Sequence, residues 1–144
     1  MYNKAKERLK LFMEAWKIKN WQIMYKYTQM SWQINHPQLV TELPPCQQYL
    51  QGISILDYKI GKASKSHDFA KIFKIPDKFI CMDIEIKIDY FAEDLQREGE
   101  REGKIRMVCE KDAYNLSEDG IWGVNVISIL KMKPKEQVNG TAED

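Results

Sequence analysis

Residues 78–91, KFICMDIEIKIDYF, alternate without a break. Ile80, Met82, Ile84, Ile86, Ile88 and Tyr90 fall on one side, while Cys81, Asp83, Glu85, Lys87 and Asp89 fall on the other. A period of two over so long a run is that of a strand with one face buried and one face wet, the usual condition of an antiparallel sheet. The same period recurs upstream in residues 53–63, where Leu56, Tyr58 and Ile60 alternate with Asp57, Lys59 and Gly61. A further strand is predicted over 69–75, ending in a Pro76-Asp77 turn that would make a hairpin with the long strand. Downstream, residues 93–103 are highly charged, hold Gly99 and Gly103, and read as an exposed connection. Strands are predicted over 104–111 and, after a turn in 115–120, over 121–132, which is apolar on both faces.

Before Gly52 the apolar period is that of a helix. Over residues 4–20, Ala5, Leu9, Phe12, Met13 and Trp16 share one face, opposite Lys6, Glu7, Lys10, Glu14 and Lys17. Leu11, Ala15 and Ile18 form a second stripe, expected to meet the next helix or a partner chain. Asn20 is a suitable N-cap for a helix over 21–32, with Trp21, Met24, Tyr25, Thr28 and Trp32 on one face. Pro37 and the Pro44-Pro45 pair then break the chain, and a short helix over 46–51 is expected to close at Gly52. Helices followed by strands define an α+β fold, with N-terminal helices packed on a curved antiparallel sheet. One domain over 1–132 and a disordered tail over 133–144 are expected.

The charge balance excludes several classes. With 22 basic and 21 acidic residues in 144, the chain has no field to hold a nucleic-acid backbone. The alternating charges Lys4, Lys6, Glu7, Arg8, Lys10, Glu14 and Lys17 read as a solvated helix face. No run is long and apolar enough to span a bilayer, and the charged opening is unlike a secretory signal. A cytoplasmic protein is therefore expected, with Cys46, Cys81 and Cys109 as buried reduced thiols.

Two stretches carry a family likeness. Residues 12–25, FMEAWKIKNWQIMY, and residues 119–124, DGIWGV, resemble the opening helices and the start of the last strand in the nuclear transport factor 2-like superfamily. The resemblance spans about 4–132. It implies a cone-shaped α+β fold whose curved sheet leaves a pocket, used by some members for catalysis and by others for binding or assembly.

Enzymes of that superfamily place an acid or histidine in an apolar pocket. Here Asp83, Glu85 and Asp89 fall on the polar side of their strand and Asp57 shares a face with Lys59, so all are expected to face solvent. His36 and His67 lie in loop-like sequence, outside any metal-binding spacing. Gly99 and Gly103 stand among glutamates that would repel a phosphate. No cofactor and no metal are expected. What remains is an aromatic set, and Tyr25, Trp32, Tyr58, Tyr90 and Trp122, with the strand amide Asn125, are the candidate pocket residues. The expectation is a non-catalytic binding or assembly domain, taking an apolar small molecule or a protein partner, which includes a second copy of itself. The alternative is a small lyase or isomerase of ketosteroid isomerase or polyketide cyclase type, with a pocket acid or His36 as base.

Overall fold

A computed structural model describes residues 2–66, 79–110 and 121–132. Four helices, α1 (Tyr2–Lys17), α2 (Trp21–Lys26), α3 (Met30–Asn35) and α4 (Pro45–Leu50), precede the strands β1 (Ile53–Ser66), β2 (Phe79–Ala92), β3 (Arg97–Glu110) and β4 (Ile121–Val124), and α5 (Val126–Leu130) follows them. The strands form one curled antiparallel sheet in the order β1-β2-β3-β4. The predicted strand over 69–75, the turn over 115–120, His67 and the tail over 133–144 lie outside the described residues.

The long alternating strand is β2, and its inward residues Met82, Ile84, Ile86, Ile88 and Tyr90 are buried. Against them lies α1, whose Ala5, Leu9, Phe12, Met13 and Trp16 are all buried, as their helical spacing requires. Two irregularities in β1 help the sheet curl. Leu56 is an extra residue between the pairs Ile55↔Tyr90 and Asp57↔Asp89, and two β1 residues stand opposite one β2 residue between Ile60 and Ala63. Such bulges bend a strand and increase its twist. Leu56, expected inside, is therefore exposed, and Ile55 takes the buried place.

Three other expectations are corrected. Residues 93–103 are not a connection: a four-residue turn, 93–96, leads straight into β3, with Ala92 opposite Arg97. Gln96 takes the left-handed position (φ 52°) that a glycine or asparagine usually marks. The helix expected over 21–32 is two helices, because the backbone between them pairs with β4. Thr28 bridges Val124 in parallel, Val124 N–H donates to Tyr27 O (2.8 Å) and Gln29 N–H to Val124 O (3.0 Å). The strand expected over 121–132 stops at Val124. Asn125 caps α5 by accepting from Ser128 N–H at 3.0 Å, and Val126, Ile129 and Met132 turn inward at helical spacing.

Arg8 was expected on the solvated face of α1. It instead reaches across to the last strand, donating from Nε to Trp122 O at 2.8 Å with its guanidinium 4.6 Å from the centre of the Tyr27 ring. Burial lowers its pKa, and the charge is held against the ring and the carbonyl. At the other end Trp16 Nε1 donates to Ile53 O at 3.0 Å. Of the second stripe only Ala15 is buried, and Leu11 and Ile18 remain exposed.

The junction of the helices with β4 is close. A Cβ at Gly123 would stand 2.5 Å from Gln29 Cα and N. Gly123→Ala is expected to lower unfolding free energy by about 2 kcal/mol or more, because backbone rather than a movable side chain must give way. Arg8→Met, which removes the helix-to-strand hydrogen bond, should cost about 1–2 kcal/mol, since the group is half exposed. Urea titrations of both variants check these values; a midpoint unchanged from wild type would contradict either assignment.

Candidate functional site

The six candidate residues do not line one pocket. Trp122 is core, packed beneath α1. Tyr58 lies on β1 and its hydroxyl bonds the Glu14 carboxylate on α1. Burial, then this carboxylate, pushes the Tyr58 pKa up. Tyr25 and Trp32 belong to an aromatic cluster that joins α2, α3 and α4. Trp32 stacks on His36 with centroids 4.4 Å apart, meets the edge of Tyr49 at 5.9 Å and leans on Tyr25 at 6.2 Å. The Tyr25 hydroxyl donates to Gln33 O (3.0 Å) and His36 O (2.9 Å), fixing the segment that carries His36.

Asn125 lines a groove of about 640 Å³ at the edge of β3, together with Asp83, Lys104, Arg106, Ser128 and Lys131. Its polar groups are already committed to the fold. Asn125 Nδ2 donates to Gln29 Oε1 (2.7 Å) and its N–H to Arg106 O (2.9 Å). Arg106 Nε donates to Asp83 Oδ1 (3.0 Å) and Nη2 to Ser66 Oγ (3.0 Å). Asp83 is thus ion-paired and partly buried, where solvent exposure was expected, while Glu85 and Asp89 are exposed as their phase implied. A network so fully bonded stabilises the junction of β3 with α5 and leaves little for a ligand.

Tyr90 is the candidate residue that does line a ligand-sized cavity. The space, about 400 Å³, lies at the end of the sheet where β1 begins and β2 turns into β3, with α4 as its other wall. Tyr49, Ile53, Tyr90, Ala92 and Leu95 supply apolar surface, and Arg97 and Arg101 stand on the inward phase of β3. Asp94 and Glu98 complete the rim and are exposed. Gly99 lies between the arginines, and a Cβ there would come within 2.7 Å of the Tyr90 hydroxyl. The glycine lets the Tyr90 ring lie against β3, and the Arg101 guanidinium sits 5.1 Å from that ring's centre.

The polar groups on the inward phase of β3 here are cations, Arg97 and Arg101, rather than the acids or histidine of a proton-transfer site. Arg101 was missed because 93–103 read as a connection. Carrying the alternation of Ile105 and Met107 back two residues at a time through Gly103 to Arg101, Gly99 and Arg97 would have found it. Trp32 touches the site at one remove, through Tyr49, and Tyr25 at two, through Trp32. Among the described residues no group of His, Cys, Asp and Glu is arranged to hold a metal, and no helix is long and apolar enough to cross a membrane. Comparison of the chain with protein-family models, with curated proteins and with solved structures finds no match.

The wall that carries Tyr49 is anchored by Cys46 and Leu50, both fully buried. All three cysteines are buried, as expected. Burial pushes the Cys46 thiol up to about 12 from an ordinary 9.0. Because the folded value lies above the unfolded one, the neutral thiol's contribution to stability is complete below about pH 9 and is lost as pH rises toward 12. Cys46→Ala should therefore show a shallower fall in stability between pH 9 and 11 than wild type, read from denaturant midpoints at each pH. Parallel slopes would contradict the placement of Cys46.

Proposed function

We propose that this chain is a non-catalytic binding domain of the nuclear transport factor 2-like type, and that the cavity between α4 and the open end of the sheet holds a small molecule with an apolar body. The observation that carries this reading is the character of that cavity. Its size is within the range for small-molecule sites, and its lining joins aromatic and aliphatic residues with the charged Asp94, Arg97, Glu98 and Arg101. Helices laid across the concave face of a curled antiparallel sheet support the likeness in architecture.

A lyase or isomerase would need a proton acceptor inside an apolar pocket. The acids at this cavity, Asp94 and Glu98, are at the exposed rim, and His36 is stacked behind Tyr49 with Nδ1 3.1 Å from Trp32 O. Binding is the reading these placements favour.

Filling the space tests it. Ala92 lies on the cavity wall and is nearly buried, so Ala92→Phe would place a ring where the ligand's body would sit. Titration of isotope-labelled protein with naphthalene-based fragments should shift the amide signals around Tyr90 and Ala92 in wild type. In Ala92→Phe, with its melting temperature confirming the fold, affinity should fall by about tenfold or more, the equivalent of ~1.4 kcal/mol. Equal binding by the filled variant would rule this cavity out as the site.

A further inference from the structure

Among the described residues Arg101 has no ion-pair partner. It is half-buried, its guanidinium lies over the Tyr90 ring, and its Nε is buried with no hydrogen-bond partner among the described residues. The neighbouring strand pairs are different. On the outer face of the same two strands Lys87 lies 3.8 Å from Glu102, and Arg106 is held by Asp83 at 3.0 Å. Arg101 points the other way, opposite Ile88, and no carboxylate comes within 4 Å of it among the described residues.

A partly desolvated guanidinium with donors to spare is an incomplete arrangement. Buried donors are normally satisfied, and a planar guanidinium is matched best by a planar two-oxygen acceptor. Stacking on Tyr90 orients the fork but bonds none of its N–H groups. Asp94 and Glu98 line the same cavity, yet both are exposed, where solvent and salt weaken their repulsion of an anion. Arg97, also at the rim, offsets one of them. Gly99 makes room for the Tyr90 ring between the two arginines, and Tyr49 and Ile53 supply apolar surface nearby.

Resting on the cavity reading above, we infer that the ligand is a carboxylate attached to a planar apolar body, its two oxygens received by Arg101 and its body lodged against Tyr90, Tyr49 and Ile53. The anion completes the guanidinium's hydrogen bonding, and the rings exclude water from the pair.

The test compares naphthoate with the isosteric neutral naphthamide and with naphthyl phosphate. Each is titrated into the full chain and followed at the Tyr90 and Ala92 amides. Naphthoate should bind about 10- to 100-fold more tightly than naphthamide, the range for one charge-assisted pair. Arg101→Gln should abolish that ratio, and Arg101→Lys, which keeps the charge without the fork, should retain only part of it. Equal binding of the acid and the amide by wild type, or a ratio that survives Arg101→Gln, would overturn the inference and leave the apolar cavity standing. Tighter binding of the phosphate ester than of the acid would overturn the assignment to a carboxylate. Failure of all three compounds to perturb Tyr90 and Ala92 would remove the inference and the cavity reading together. If Arg101→Gln does not fold, the wild-type ratio and the Arg101→Lys series decide the matter.

Discussion

One helix is tied to both ends of the sheet. Trp16 of α1 donates to the backbone of Ile53, where the first strand starts, and Arg8 donates to the backbone of Trp122 in the last strand. Two strands at opposite ends of a four-stranded sheet can reach a single helix only if the sheet curls around it. Between these ties the buried face of α1 fills the concavity with Leu9, Phe12 and Met13, each contributing about 1.5–3 kcal/mol by leaving water. The bulges in β1 are the local means by which the strand accommodates that curvature.

Curvature also decides where a ligand can go. The centre of the concave face is occupied by α1 and the inward isoleucines of β2. Space remains at the end beyond Ile88, where Tyr90 and Ala92 follow on β2 and the inward positions of β3 are Arg97, Gly99, Arg101 and Gly103 rather than the Ile105 and Met107 of its far half. Core turns into cavity along one strand as apolar side chains give way to glycine and arginine. The polar face of the same strands serves a different purpose. Asp83 opposite Arg106, Glu85 opposite Lys104 and Lys87 opposite Glu102 place unlike charges across the β2–β3 pair, an arrangement that supports one register.

The elements read correctly from the sequence are those in which periodicity and burial agree. The alternation of β2 and the helical stripe of α1 each concern a single face against a single partner, so local spacing carries the information. Where the reading failed, the deciding partner was distant in sequence. The helix after Asn20 breaks at Thr28 because Val124, almost a hundred residues later, claims its backbone. The hairpin at 93–96 was hidden because Gln96 occupies a left-handed position without the usual glycine. Asn125 could have been recognised as a cap, with Ser128 three residues on, but an unbroken apolar run on both sides masked the change of period. The candidate site fared likewise. Tyr90 was legible from its phase, whereas Arg101 required the strand that the missed turn concealed.

The parallel bridge between Thr28 and Val124 has a consequence for how the chain acquires its shape. It joins the first third of the polypeptide to its last described strand, and the Arg8 bond to Trp122 spans a still longer interval. Contacts of such sequence separation are entropically costly to form first and belong to slow-folding topologies. During synthesis the opening helices would emerge with the part of their surface that β4 covers still open, and Thr28 would wait for more than ninety further residues before the closing strand arrived. Their exposed interval is the period in which a chaperone, or a neighbouring nascent chain, would have most to grip.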